Sequence, residues 1–106
     1  MSDLTPRIPL DMEKIETFCK KWQIVEFSLF GSVLTDDFRP DSDVDVMVEF
    51  VRPGIWKLHD LDLMEEELTQ ILGRTADLST KLGIVHMPNY IRRKSILNGS
   101  RVFYAA

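Results

Sequence analysis

Two apolar runs, separated by a polar loop, constrain this chain more than any other feature. The first run ends at Gly31 and Ser32, and the second begins, after ten intervening residues, with Asp43 and Asp45. Because successive side chains on a strand point to opposite faces, the two aspartates point the same way, with Cα atoms roughly 6.5–7 Å apart. The pattern therefore predicts a pair of carboxylates on one face of a sheet, close to a Gly-Ser turn.

These residue types suit the chemistry of phosphates. Carboxylates at this spacing bind or bridge hard cations, and two metal ions about 3.5–4 Å apart are the usual apparatus of phosphoryl and nucleotidyl transfer. The backbone amides and hydroxyl of a Gly-Ser turn hold polyphosphates. Five aspartates fall within ten residues, and such a cluster repels phosphate unless cations intervene. For Asp36 and Asp37, a solvated acidic loop is the favoured interpretation.

Two other metal-dependent motifs fail at specific positions. An EF-hand loop starting at Asp41 would need Gly in place of Val46 and Glu in place of Arg52. A phosphoaspartyl hydrolase would carry its Asp-x-Asp pair at the end of an apolar strand, whereas Asp43 and Asp45 open one. Neither motif therefore explains the aspartate pair.

The pattern Gly-Ser-x10-Asp-x-Asp, present as Gly31, Ser32, Asp43 and Asp45, resembles the signature of the DNA polymerase β-like nucleotidyltransferase superfamily. Within it, the chain looks like the minimal nucleotidyltransferase (MNT) proteins over nearly its whole length. The further points of similarity are the brevity of the chain, the helix after Arg52-Pro53, Asp77 in Ala76-Asp77-Leu78, and the closing segment 96–104.

The resemblance implies a role for each of these residues. Gly31 lets the backbone approach the triphosphate of ATP, and Ser32 hydrogen-bonds a phosphate oxygen. Asp43 and Asp45 ligate Mg²⁺, of which two ions are implied. Asp77 matches the third carboxylate of the family, which helps to hold the second metal and can take the proton of the attacking hydroxyl. In-line attack on the α-phosphate would release pyrophosphate.

The resemblance also implies a protein partner. MNT proteins of this kind are typically antitoxins of type VII-like toxin–antitoxin pairs, and their partners are helical HEPN ribonucleases. The implied activity is transfer of AMP from ATP to a tyrosine hydroxyl of the toxin, where the added charge and bulk would block RNA binding. Two alternatives remain open. One is a non-catalytic antitoxin that masks the HEPN toxin stoichiometrically, and the other is a transferase for a small hydroxylated molecule.

The periodicity predicts one α/β (α+β) domain over residues 1–106, with an irregular lead-in at 1–9, and the resemblance implies that this domain has the polymerase β-like nucleotidyltransferase fold. Its small mixed sheet is expected to carry helices on one face and to leave the other open. Predicted strands lie at 24–30, 43–50, 75–80 and 102–104, and predicted helices at 11–22, 57–72 and 88–97. Each strand places its apolar residues on one face, so the open face should gather Asp43, Asp45, Asp77 and Ser28.

Composition and charge narrow the class of protein. The net charge of −4 leaves no large basic footprint for duplex nucleic acid, so no direct nucleic-acid partner is expected. The single Cys19 excludes an internal disulfide and is predicted to lie in the core. No apolar run approaches the roughly 18 residues that span a bilayer, and no signal-peptide core is present. We therefore expect a cytoplasmic protein without a membrane partner.

One basic cluster, Arg92-Arg93-Lys94, lies on the last predicted helix. A solvated helix face explains it without any ligand. This is the favoured interpretation, and contact with nucleotide phosphate or with an acidic partner is the alternative that the residues leave open.

Overall fold

The computed structural model describes residues 5–106, and residues 1–4 of the predicted lead-in lie outside this part. The elements are helix α1 (Met12–Lys21), strand β1 (Ile24–Phe30), a 3₁₀ turn (Gly31–Leu34), β2 (Val44–Phe50), α2 (Leu58–Leu72), β3 (Ala76–Thr80), α3 (Lys81–Val85), α4 (Tyr90–Asn98) and β4 (Arg101–Ala105). The four predicted strands and three predicted helices are confirmed to within two residues at each end. The short helix α3 is an element that the sequence analysis missed.

The four strands form one mixed sheet in the order β3-β2-β1-β4. Strand β1 is antiparallel to both of its neighbours, whereas β2 and β3 are parallel. Parallel neighbours need a crossover connection, which α2 supplies. The register pairs Asp45 with Phe30 on one side and with Asp77 on the other. The beginning of β2 therefore lies between the end of β1 and the beginning of β3.

The main core lies between the sheet and helices α1 and α2. Every second residue of β2 from Val44 to Val48 is buried in this core, and burial recurs every three to four residues on the helices, as the sequence pattern predicts. The fully or almost fully buried side chains include Ile15, Phe18, Phe27, Leu29, Val44, Val46, Val48, Met64 and Leu68. Helical spacing over 57–72 predicts an apolar stripe that includes Leu58, Met64 and Leu68. The last two are fully buried, but Leu58 is 81% exposed at the first position of α2.

The opposite face of the sheet is only partly open, which corrects the expectation that all helices pack on one side. Phe30 and Met47 lie on this face and form a second buried cluster with Ile84 of α3. Ile96 and Leu97 of α4 pack against this cluster. Burial of apolar surface away from water stabilises the contact. The small mixed α/β fold class is confirmed, and α4 is brought next to the acid-bearing end of the sheet.

Cys19 is fully buried, which confirms its predicted core position. Burial, with a smaller contribution from the charge of Glu16, raises the pKa of the Cys19 thiol to about 12. The thiolate is the reactive form of cysteine, so this side chain is inert near neutral pH. Separately, among the helices of residues 5–106, none is long and apolar enough to cross a membrane.

Replacing Gly73 with Ala is expected to lower the free energy of unfolding by about 1 kcal/mol. Gly73 ends α2 with φ of 71°, and a Cβ there would meet no atom within 4 Å, so the cost is purely conformational. Urea unfolding measures the change. Gly73→Asn should lose less, because Asn tolerates the left-handed conformation better than Ala. Equal losses in the two variants would contradict this explanation.

Candidate active site

The turn after β1 brings backbone against a carboxylate. Gly31 has φ of 78°, and a Cβ at this position would overlap the carboxylate of Asp45. Both features favour glycine over any residue with a side chain. Val33 and Leu34 anchor the turn in the core, while Gly31 is exposed and Ser32 is half-buried. The backbone of the turn is therefore held beside Asp45 with one side open to a ligand.

The three predicted carboxylates lie at one end of the sheet. Asp43 immediately precedes β2, Asp45 is the second residue of that strand, and Asp77 is its partner on β3. Adjacent strands are about 4.8 Å apart, so Asp45 has a carboxylate neighbour along its own strand and another across the sheet. Asp43 and Asp77 are exposed, and Asp45 is half-buried. Ser28 was expected on this open face, but it is only 1% exposed and unavailable to a ligand.

Helix α2 fixes the position of Asp77 through the backbone on either side of it. The amide of Ala76 donates to the hydroxyl of Thr69 at 3.0 Å, and the amide of Leu78 donates to the carboxylate of Glu65 at 2.9 Å. Both acceptors are side chains of α2. The strand that carries Asp77 is thereby bonded on its outer edge as well as to β2.

Asp45 has a distinct electrostatic environment. Burial raises the pKa of Asp45 above its ordinary value, and the charges of Asp77 and Asp43 raise it further, while Arg92 acts in the opposite direction. Like charges at close range and partial desolvation both disfavour the ionised carboxylate. A cation bound beside Asp45 would therefore relieve an existing repulsion.

The donor chemistry of these residues fits a divalent cation that binds together with a nucleotide. Residues 5–106 contain no group of three or more His, Cys, Asp or Glu side chains that could hold a metal ion. Mg²⁺, however, usually binds one or two carboxylates and completes its coordination with substrate phosphates and water rather than with an all-protein cage. The exposed carboxylates beside the Gly31 turn match that mode of binding.

Helix α4 lines a cavity of about 540 Å³ at this end of the sheet, together with Gly31 and Asp45. Its contributions include Asn89 and Arg92. Pro88 was predicted to be the first residue of the helix, but the helix begins at Tyr90, with Asn89 as its N-cap. Hydrophobic periodicity predicts this helix but not its place in the site, because none of the residues of α4 is buried and no apolar stripe indicates where the helix docks.

The structure separates the members of the basic cluster. Arg92 faces the cavity. Arg93 donates to the carbonyl of Met87 at 2.9 Å and lies over the ring of Tyr90, so its role is to hold the start of α4. Of the three basic residues, Arg92 is the one that lines this cavity, whereas Lys94 is exposed on the same helix.

Comparison with known proteins agrees with this geometry. The family model for the nucleotidyltransferase domain matches residues 12–101. This chain belongs to the nucleotidyltransferase domain family. It is therefore a nucleotidyltransferase. Gly31 and Asp45, two residues of the sequence signature, lie next to each other at one end of its sheet.

Individual relatives support the assignment. The "putative protein adenylyltransferase" of Methanocaldococcus jannaschii is 34% identical over 73 residues, which is 69% of this chain and 71% of that protein. A solved "putative minimal nucleotidyltransferase" is 28% identical with a TM-score of 0.65, covering 84% of this chain and 85% of that one. The crystal structure of a toxin–antitoxin with AMP-PNP matches with a TM-score of 0.69 over 92% of this chain and 75% of that one. At 15% identity, this last similarity is one of fold.

Replacing Asp45 with Asn is expected to stabilise the folded nucleotidyltransferase at neutral pH. Because the pKa of Asp45 is raised, the folded state holds a proton that the unfolded state has lost as pH rises above the ordinary value of 3.8. Stability therefore falls as pH rises through this window, and Asn removes that loss. The gain should be below about 1 kcal/mol, since solvent screens a half-exposed group.

Thermal unfolding in EDTA between pH 4 and pH 7 measures the effect of Asp45→Asn. The two proteins should converge as the pH falls toward 3.8. Asp62→Asn, at an exposed position of α2, removes the same net charge at a distance from the site. An equal gain in that control would assign the effect to overall charge and contradict the local explanation.

Proposed function

We propose that this nucleotidyltransferase is the antitoxin of a type VII-like toxin–antitoxin pair. In this proposal it transfers AMP from ATP, with Mg²⁺, to a tyrosine hydroxyl of a HEPN ribonuclease toxin and thereby inactivates it. The observation that carries the proposal is the exposed Gly31 backbone held against Asp45, with Asp77 on the adjacent strand. A protein substrate is supported by the protein adenylyltransferase name of the archaeal relative. A toxin partner and an adenine nucleotide are supported by the AMP-PNP-containing toxin–antitoxin of similar fold.

Each site residue has a defined task. The backbone of Gly31 and the hydroxyl of Ser32 bind phosphate oxygens of ATP. Asp43, Asp45 and Asp77 provide carboxylate oxygens for the divalent cations. When bound, Mg²⁺ neutralises charge on the α-phosphate and on pyrophosphate and lowers the pKa of a coordinated hydroxyl.

The reaction is a displacement at phosphorus. The tyrosine oxygen forms a bond to the α-phosphorus, and the bond from this phosphorus to the α–β bridging oxygen breaks. The electron pair of the broken bond leaves with pyrophosphate, and the hydroxyl proton passes to Asp77. The exposure of Asp77 leaves it accessible to an acceptor carried on another protein. The product carries a phosphodiester charge and a bulky nucleoside at the tyrosine, both of which oppose RNA binding.

The test combines ATP labelled in its α- or γ-phosphate with a series of antitoxin-to-toxin ratios. The purified protein is mixed with Mg²⁺ and a HEPN ribonuclease encoded by the gene next to its own. We expect label from the α-phosphate of ATP on a tyrosine of the partner, no label from the γ-phosphate, and loss of ribonuclease activity at far less than one antitoxin per toxin. Tyrosine-to-phenylalanine substitution at the labelled position should abolish the transfer.

Other outcomes identify the alternatives. Neutralisation without label, and only at equal amounts of the two proteins, would contradict the catalytic proposal and favour masking by binding. AMP transfer to small hydroxylated molecules in the absence of any protein partner would contradict the assignment of a HEPN substrate.

A further inference from the structure

Arg92 carries a cationic group toward the candidate active site. Its side chain lines the cavity that Gly31 and Asp45 also line. Its charge lowers the pKa of Asp45, so it acts on that carboxylate at Coulombic range. Within residues 5–106, none of the ion pairs involves Arg92. The guanidinium is therefore available to a bound anion.

The helix that carries Arg92 is anchored at both ends. At its beginning, the side chain of Asn89 accepts a hydrogen bond from the backbone amide of Arg92 at 3.0 Å. Toward its end, Ile96 and Leu97 pack against the buried cluster on the sheet. Arg92 is thus presented to the cavity from a docked helix rather than from a loop.

We propose that Arg92 binds the β- and γ-phosphates of the nucleotide and stabilises the departing pyrophosphate. This inference rests on the proposed function, because it assigns a position within the same reaction. A guanidinium suits the task, since its planar fork donates to two phosphate oxygens at once.

The order of the strands indicates whether Arg92 lies near the attacking hydroxyl or near the leaving pyrophosphate. Asp77 on β3 and Gly31 at the end of β1 flank Asp45 from opposite sides. In an in-line displacement, the attacking and leaving oxygens also lie on opposite sides of the phosphorus. If Asp77 receives the proton of the acceptor, the Gly31 side holds the leaving group.

The cavity lies on the Gly31 side. Phe30, Gly31 and Arg92 line it together, and Asp77 is not among its lining residues within the described range 5–106. As the bond from the α-phosphorus to the bridging oxygen breaks, negative charge grows on pyrophosphate, next to Arg92. A fixed cation at that position is more effective in the transition state than in the ground state. Arg92 transfers no proton in this step.

The experiment measures nucleotide binding rather than turnover. Isothermal titration calorimetry with Mg²⁺ compares α,β-methylene ATP, whose α–β bridge does not break, with pyrophosphate and with AMP. Arg92→Gln should weaken binding of the ATP analogue and of pyrophosphate about tenfold, and of AMP less than about twofold. Lys94→Gln is the matched control, because it removes one positive charge from an exposed position of the same helix. It should change all three affinities by less than about twofold.

Each result bears on the proposal separately from the proposed function. Equal pyrophosphate affinity in the wild type and Arg92→Gln would overturn the role of Arg92 even where AMP transfer persists. A loss of AMP binding as large as the loss of pyrophosphate binding would also overturn it, by placing Arg92 at the α-phosphate. A wild-type protein that binds neither the ATP analogue nor pyrophosphate would overturn the proposed function itself.

Discussion

Replacing Asp43 with Asn is expected to reduce AMP transfer by about a hundred- to a thousandfold without disturbing the fold. The carboxylate of Asp43 is exposed and precedes β2, so the isosteric change leaves the core untouched. In the proposed mechanism, the variant loses a carboxylate oxygen and a negative charge that hold the divalent cation, and this cation neutralises the phosphate charge. Loss of one such stabilising group typically costs this much in rate.

The rate of label transfer from α-labelled ATP measures the effect of Asp43→Asn. The matched control is Asp41→Asn, which removes an exposed carboxylate two residues earlier in the same acidic loop. It should retain activity to within about twofold. Full activity in Asp43→Asn, or an equal loss in both variants, would contradict a specific role for Asp43.

Replacing Gly31 with Ala is expected to damage both stability and catalysis. The added Cβ would overlap the Asp45 carboxylate, and the φ of 78° disfavours any side chain. The conformational cost, with a smaller steric cost because the Asp45 carboxylate can rotate away, should lower the free energy of unfolding by about 1–2 kcal/mol. Affinity for the ATP analogue should fall at least about tenfold, since the turn that holds phosphate is displaced.

Two further variants separate the causes in Gly31→Ala. Gly54 has φ of 81°, but a Cβ there would meet no atom within 4 Å. Gly54→Ala should therefore cost about 1 kcal/mol and leave nucleotide binding unchanged. Combining Gly31→Ala with Asp45→Ala should recover part of the lost stability, because the overlap disappears. Strict additivity of the two changes would contradict contact between them.

The features that follow from local geometry were predictable from the sequence. The two-residue repeat of a strand predicted that Val44, Val46 and Val48 lie on the face opposite Asp43 and Asp45, and the three valines are indeed buried in the main core. Helical spacing likewise identified Met64 and Leu68 as core residues. In each case, the residue repeat of a single strand or helix determines which face a side chain lies on, without information from distant residues.

The features that depend on packing between elements were not predictable in the same way. Helix α3 has five residues and an internal Gly83, so it has too little periodicity to be recognised, and it depends on the cap from Thr80. The apolar contacts that dock helix α4 against the second cluster come from two partly buried side chains, Ile96 and Leu97. The burial of Ser28 and the position of Arg92 both follow from neighbours that the local sequence does not specify.

The outer edge of β3 has a consequence for how any partner reaches Asp77. An edge strand normally offers unpaired amides to which another chain can add a strand. Here the outward amides of Ala76 and Leu78 already donate to Thr69 and Glu65 of α2. Strand addition is therefore blocked beside Asp77, although the carboxylate itself stays exposed. A partner must therefore reach Asp77 without pairing a strand to β3, and a helical surface such as that of the proposed HEPN toxin meets this requirement, because its backbone groups are already paired.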